Sequence, residues 1–472
     1  MIDRIKNKQI LVIGMARSGL AVVKLLAGMG ASKITIADKK EAAELNEELT
    51  GLSRYDNVEA VTGGTPPELV DPFLSLVVKS PGVPPHLVVL SRARELGIPV
   101  LSEIEVAYAF ARAPMVGVTG TNGKTTTTAL IAAMLREARF DPVITAGNIG
   151  NPLVGVVENI SAQGYIVAEL SSFQLEDIKS FRPAVAVFLN FAEDHMDYHG
   201  SIEKYFSAKA RIFENQTSSD FAVLNAADPK VASIEDKGKG RILWFDRAEV
   251  SRGVGLLEGW VTLFNRGVDP IKVCPLDEIA LPGEHNLENA LAATAAAWAA
   301  GADPQAIGAV LRSFRAIEHR LEPVATLHEV QYINDSKGTN PGASIKALQA
   351  FPGKEIILIA GGKDKGADFS GLARVIAEKT RLAIFYGETR EQLTRAVSEA
   401  GFTNYRLVED LDEAVHCAGE EAKPGEIVLL SPACASWDMF KDYEERGILF
   451  KKLVHNLKNK QTGKGGCGNG LA

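Results

Sequence analysis

Short apolar runs bounded by Gly, Pro or Asp recur along the chain, with helical patterns between them. Gln9–Ile13, Lys33–Ala37 and Leu74–Val78 are the first such runs, and the pattern opening at Gly14 predicts a helix through Gly30. A buried-strand run, then a helix, then a second run predicts βαβ units and a parallel sheet. In the next segment an apolar strand leads into Thr119, followed by strands at Tyr165–Glu169 and Ala184–Phe188. Helices are expected at Glu103–Arg112, Thr128–Glu137, Asn286–Ala300 and Pro304–Arg312. The alternating runs Arg241–Phe245 and Trp260–Phe264, with Gly between them, predict a small antiparallel insert. Further on, Tyr332–Asn334, Glu355–Ala360, Leu382–Tyr386, Arg406–Leu407 and Ile427–Leu430 read as strands with helices between them.

The expected fold is α/β with three domains in series. A Rossmann-like N-terminal domain covers residues 1–100. A P-loop-type ATPase central domain covers 101–316 and carries the antiparallel insert. A Rossmann-like C-terminal domain covers 317–460, and the Gly-rich residues 461–472 are expected to form a flexible tail. The length of 472 residues agrees with that number of domains. A net charge of −8 argues against nucleic acid or an anionic membrane as the main partner. The four cysteines (Cys274, Cys417, Cys434 and Cys467) are scattered without a C-x-x-C pair, which suits a reducing compartment. No signal peptide and no membrane-spanning run is visible, so a cytoplasmic protein without stable membrane insertion is expected, and it is expected to be a monomer.

The strongest chemical signal is Val118-Thr119-Gly120-Thr121-Asn122-Gly123-Lys124-Thr125-Thr126, running from a strand into a helix. Such a turn aims backbone N–H groups and a helix N-terminus at a phosphate. Lys124 supplies a point charge for phosphate oxygens, and the Thr125 or Thr126 hydroxyl can hold Mg²⁺. Val118 stands where the strict pattern has its first Gly. The earlier turn Gly14–Gly19 is a degenerate dinucleotide fingerprint in which Ala16 replaces the middle Gly. Asp38 ends the second strand, placed for a ribose hydroxyl, and Lys39 follows it. Glu169 ends another strand, and Asn190…Glu193-Asp194-His195 follows a third, where α/β sites collect. Lys209 reads from its own surroundings as a helix-surface lysine. Asn334–Asn340, Gly361–Gly366 and Ser431–Asp438 are polar strand ends that resemble one rim of a ligand cleft. Cys434 reads as a small buried thiol, since no base is assignable to it.

Together these residues resemble the Mur ligase family over nearly the whole chain. The loop Thr119–Thr126, Glu169–Gln174, Asn190…Glu193-Asp194-His195, His285-Asn286…Asn289-Ala290, His319-Arg320 and Asp335-Ser336-Lys337…Thr339-Asn340 carry the resemblance. Ser80-Pro81-Gly82, Lys365–Phe369 and Ser431–Ser436 favour its D-glutamate-adding branch. The resemblance implies ATP, UDP-N-acetylmuramoyl-L-alanine and D-glutamate as substrates, with an acyl phosphate and a tetrahedral intermediate. It assigns Gly120, Thr121, Asn122, Gly123, Lys124, Thr125 and Thr126 to the ATP phosphates, Asn286 to adenine, Arg320 to a phosphate and Asp335 to the ribose. It implies two Mg²⁺ sites, one at Thr125 and Glu169, the other at His195 and a carbamylated Lys209. Lys337 would stabilise charge near the transferred group. Gly14, Asp38, Lys39, Ser80 and Gly82 would bind the uridine diphosphate end, and Asn148 and Ser171 would face the rest of that substrate. Thr339, Lys365 and Ser436 would hold D-glutamate beside Tyr443. Trp437 and Tyr443 depart from the smaller aliphatic residue and the Phe expected there. The rivals are an L-alanine-adding member of the family, a folylpolyglutamate synthase, and a P-loop switch protein that uses ATP only for conformation.

Overall fold

The computed structural model describes residues 2–148, 150–281, 283–314, 318–364 and 366–462. The chain divides into two compact units, the first made of Met1–Ala280 with Asn286–Phe314, the second of Leu281–His285 with Arg315–Ala472. Among the described residues the strands form three sheets, two in the first unit and one in the second.

The first sheet contains β1 (Gln9–Ile13), β2 (Lys33–Ala37), β3 (Val58–Val61), β4 (Leu74–Lys79) and β5 (Val100–Ser102) in the order β3-β2-β1-β4-β5. All its pairings are parallel. Its strands read as unbroken apolar runs because both faces are covered. Ile10 and Val12 pack with Val22 and Leu26 on one side, while Leu11 and Ile13 pack with Val89 and Leu90 on the other. The helix after β1 spans Arg17–Gly28, shorter at both ends than the pattern predicts. β5 carries this sheet through Ser102, past the boundary expected at residue 100.

The second sheet contains β6 (Met115–Thr119), β7 (Val143–Gly147), β8 (Tyr165–Glu169), β9 (Val185–Phe188), β10 (Phe221–Asn225), β11 (Arg241–Phe245), β12 (Gly253–Leu257), β13 (Trp260–Asn265) and β14 (Val268–Pro275). Its order is β14-β13-β12-β11-β10-β9-β6-β8-β7, so β6 lies between β8 and β9. The antiparallel segment is not a separate insert. β11 pairs parallel with β10, and the antiparallel ribbon β12–β14 extends the same sheet at its edge. The helices Lys124–Glu137, Glu284–Ala299 and Pro304–Ser313 stand close to their expected positions.

In the second unit β15 (Glu322–Leu327), β16 (Val330–Asn334), β17 (Ile356–Gly361), β18 (Thr380–Tyr386), β19 (Tyr405–Leu407) and β20 (Ile427–Leu430) form one sheet, ordered β15-β16-β20-β17-β18-β19. Only the β15–β16 pairing is antiparallel among them. Apolar clusters cover both faces, centred on Leu358 and Leu429 on one side and Ile359 and Leu430 on the other. The helix Tyr443–Thr462 takes in the first two residues of the expected tail, and 463–472 lie outside the described residues.

Candidate active site

The order of the first sheet reverses between β1 and β4, and ligands of parallel sheets collect in the crevice at such a point. Gly14 leaves β1 with φ +98°, and a Cβ there would come within 2.9 Å of Ser80 Cβ, so only glycine lets the two turns close. Ser80 Oγ donates to Gly14 O at 3.2 Å. Asp38 accepts from Met15 N at 2.7 Å and Lys40 N at 3.0 Å, so its carboxylate braces the turn beside the exposed Lys39. Gly82 has open space around it. Gly14, Asp38 and Ser80 are thus brought together at three strand ends.

In the second sheet the loop after β6 lies between those after β8 and β9. Asn190 is the clamp that residue-by-residue reading left without a role. Its Oδ1 accepts from Asn122 N at 2.9 Å, its Nδ2 donates to Asn122 O at 3.1 Å, and its carbonyl accepts from Thr121 N at 3.0 Å. Gly123 begins the helix with φ +83°, and no side chain caps that end. Its first N–H groups therefore suit an anion. A Cβ on Gly123 would lie 2.1 Å from Asn289 Oδ1. Asn289 stands one turn from Asn286 on the same helix and donates to its Oδ1 at 3.4 Å, while Thr127 Oγ1 donates to Asn289 Oδ1 at 3.4 Å, which joins that helix to the one the phosphate loop begins. Thr125 and Thr126 are buried at the helix start. Lys124 Nζ donates to Gly120 O and Thr121 O, both at 2.9 Å.

Lys209 corrects the residue-level expectation of a surface lysine. Its side chain is fully buried, and Nζ donates to Gly120 O at 2.8 Å, the carbonyl that Lys124 also uses. The Tyr205 ring lies 4.7 Å from Nζ. Burial, and secondly the Lys124 charge, hold the Lys209 amine well below the usual lysine range, against an opposing pull from Asp194 and Glu169. Glu169 is buried, and its Oε1 accepts from Asn148 Nδ2 at 2.9 Å. Its Oε2 has no hydrogen-bond partner among the described residues. A buried carboxylate oxygen in that state is costly unless a cation meets it. Among the described residues no three His, Cys, Asp or Glu side chains converge as a metal cage. One carboxylate, a threonine hydroxyl, phosphate oxygens and water are the usual company of Mg²⁺, so the residues fit that ion. His195 sits in the left-handed region (φ 55°), its ring 4.8 Å from Phe173 and 6.0 Å from Tyr205. Ser171 caps a short helix in a reciprocal pair with Gln174.

In the second unit the loops after β16 and β20 are held together by Arg446, which sequence reading missed. This fully buried guanidinium donates to Ser336 Oγ (3.0 Å), Ser336 O (2.8 Å) and Cys434 O (3.2 Å). Asp335 is enclosed, accepts from Ser431 Oγ at 2.8 Å, and lies 3.9 Å from Arg320 Nη1. Burial pushes its carboxyl up to about 6, although Arg320 and Ser431 pull the other way. Lys337 Nζ donates to Tyr443 OH at 3.3 Å and lies 5.0 Å from that ring. Ser436 is buried and Thr339 half-buried in the same loops. Lys365 lies outside the described residues. Cys434 is buried beside Thr389 Oγ1 (3.2 Å), and burial raises its thiol to about 11.

Three family profiles match the chain in order. These are "Mur ligase MurD-like, N-terminal domain" over residues 8–102, "Mur ligase middle domain" over 118–297, and "Mur ligase, glutamate ligase domain" over 319–434. The chain belongs to the Mur ligase family. Among its Mur ligase relatives, the UDP-N-acetylmuramoylalanine–D-glutamate ligase of Pelotomaculum thermopropionicum is 47% identical over 97% of this chain and 100% of its own. The protein of the same name from Clostridioides difficile is 42% identical over 96% and 100%. The solved UDP-N-acetylmuramate-alanine ligase of Thermotoga maritima shares the Mur ligase fold at a TM-score of 0.59 and 19% identity, covering 96% of this chain and 99% of that one.

Proposed function

We propose that the chain is an ATP-dependent amide-bond ligase that adds D-glutamate to UDP-N-acetylmuramoyl-L-alanine in peptidoglycan precursor synthesis. The observation that carries this reading is its 47% identity, along nearly the full length of both chains, to a ligase of that name. The substrate carboxylate takes the terminal phosphoryl group of ATP to become an acyl phosphate. The amine of D-glutamate adds to it, and phosphate leaves the tetrahedral intermediate. Such chemistry needs positioned cations rather than a covalent protein nucleophile. The buried, raised thiol of Cys434 agrees with that requirement.

In this reading Gly120–Thr126 cradle the ATP phosphates, with Asn286 toward adenine and Arg320 and Asp335 toward phosphate and ribose. Gly14, Asp38, Lys39, Ser80 and Gly82 hold the uridine diphosphate end, and Asn148 and Ser171 face the acid to be activated. Lys337 stabilises charge near the transferred group, and Thr339, Lys365, Ser436 and Tyr443 receive D-glutamate. Thr125 and Glu169 would hold one Mg²⁺, and His195 with Lys209 a second, their shared role being to neutralise charge on the phosphoryl oxygens. The suppressed basicity of Lys209 supports carbamylation, because a neutral amine adds CO₂ with release of one proton. The carbamate then offers anionic oxygen where an ammonium would repel a cation. The protein acts as a cytoplasmic monomer on small molecules. Among the described residues no helix is long and apolar enough to cross a membrane.

Phosphate release from ATP and Mg²⁺ with UDP-N-acetylmuramoyl-L-alanine tests this reading, comparing D-glutamate, L-glutamate and L-alanine. Release that requires D-glutamate, with the matching product mass, is expected. Release with none of them overturns the assignment, and the non-alanylated acid with L-alanine becomes the next pair.

A further inference from the structure

Lys79, the last residue of β4, is wholly buried and leads directly into the turn Ser80–Gly82. Its ammonium lies 2.8 Å from Asp177 Oδ2 and 3.6 Å from Glu176 Oε2, and donates to Tyr198 OH at 3.0 Å. The Tyr198 hydroxyl has one proton and two acceptors within reach, Glu176 Oε2 at 3.0 Å and Val83 O at 3.2 Å. Val83 closes the turn, its N–H donating to Ser80 O at 3.1 Å. One phenol therefore touches both ends of the segment proposed to hold the uridine diphosphate.

The Tyr198 ring opens an unbroken aromatic path from there to the phosphate loop. It meets Phe173 edge-on at 4.4 Å, and Phe173 meets His195 at 4.8 Å. His199 stacks on Phe173 at 5.4 Å and touches Tyr205 at 5.2 Å. Tyr205 has the Lys209 Nζ 4.7 Å from its ring centroid and places its hydroxyl 3.4 Å from Thr121 Oγ1. Tyr198 and His195 also share the short helical turn Met196–His199 and its cap. Packed aromatic rings resist compression, so a shift of the 80–83 turn is passed on rather than absorbed.

We propose that Tyr198 is a positioning residue that couples occupancy of the Ser80–Val83 turn to the cation-binding geometry of His195. This inference rests on the ligand assignments above, with the turn taking a uridine diphosphate and His195 facing a divalent ion. The alternative is that Lys79, Asp177 and Tyr198 serve only as a strut between the two sheets.

Coupling between two sites is reciprocal and can be read from binding alone. Mn²⁺ binding to the full chain in the presence of ADP would be followed by electron paramagnetic resonance, with and without UDP. In the unaltered protein UDP should tighten Mn²⁺ binding about fivefold or more. Tyr198→Phe keeps the ring and removes both hydroxyl contacts. It should abolish that coupling while UDP affinity and melting temperature stay close to those of the parent. A strut alone would lower the melting temperature and leave the coupling intact, which overturns the proposal. Lack of coupling in the unaltered protein, with both nucleotides bound, overturns it too. Failure of UDP or Mn²⁺–ADP to bind at all instead refutes the ligand assignments, and the inference falls with them.

Discussion

The fully buried amine of Lys209 and the half-buried one of Lys124 share one carbonyl, that of Gly120. Lys209→Ala should lower turnover about 10–100-fold or more, as losing a group at a metal site does. Small carboxylates such as acetate should restore part of it, by offering the anionic oxygen that the carbamate supplies. Unchanged turnover would end the carbamate role. A second buried titrating group, Glu103, accepts from Val154 N at 2.7 Å through one oxygen, and the other has no partner among the described residues. Burial raises its carboxyl from 4.5 to about 7, against the pull of that N–H and of Gln174. Between those values the native protein binds the proton that the unfolded chain has released, so stability falls as pH rises through the window. Glu103→Gln avoids the ionisation and keeps an acceptor for Val154. It should match the parent near the lower value and exceed it by about 3 kcal/mol above the upper one, read by denaturant unfolding at several pH values. An advantage that does not change with pH would refute the assignment. Nothing in the neighbouring letters marks either Lys209 or Glu103 as buried, because burial here comes from segments far away in the chain.

Among the elements, most central β-strands were readable because both of their faces are covered, although β10 at Phe221–Asn225 was not marked. Ile10–Ile13 or Ile357–Ile359 need no alternation to announce themselves. Edge strands were mostly not, although β19 was marked at Arg406–Leu407. β3 is half-buried or exposed throughout, β14 is exposed over its first five residues and contains Pro270, and β15 carries Pro323. Strands of that kind lack an apolar face to print a period on the sequence. Of the ribbon β12–β14 only Trp260–Phe264 is marked by alternation, and Arg241–Phe245, expected to be antiparallel, pairs parallel with both β10 and β12, a pairing direction that alternation does not encode. The phosphate-loop turn was legible as strand, turn and helix, since that conformation is local, whereas its Asn190 clamp comes from far along the chain and was not. Gly123→Ala tests this element directly: the left-handed φ costs about 1–2 kcal/mol with a side chain, and the new Cβ collides with Asn289. ADP affinity should drop by about tenfold or more, with only a modest change in melting temperature, as titration calorimetry would record. Undiminished ADP binding would show that the loop is not the phosphate cradle.

Across the whole molecule, the strand ends that gather the candidate residues follow from sheet order, which the sequence suggests only as a succession of βα units. The convergence of Gly14 with Ser80 follows from β1 and β4 being neighbours, and that of the loops after β16 and β20 from a strand formed nearly last lying beside one formed early. Arg446 was illegible for the same reason: an arginine in a charged helical stretch looks solvated until its five N–H groups are counted against buried acceptors. Its place in the chain has a consequence for biosynthesis. The Ser336 loop it grips is made 110 residues earlier, and the Cys434 carbonyl 12 residues earlier. A nascent chain that has not yet reached position 446 holds both loops without the group that fixes their spacing. The loops proposed to receive the amino acid therefore gain their clamp only when translation has passed that codon, and a ribosome stalled upstream of it would carry a nearly entire polypeptide in which their spacing is not yet fixed.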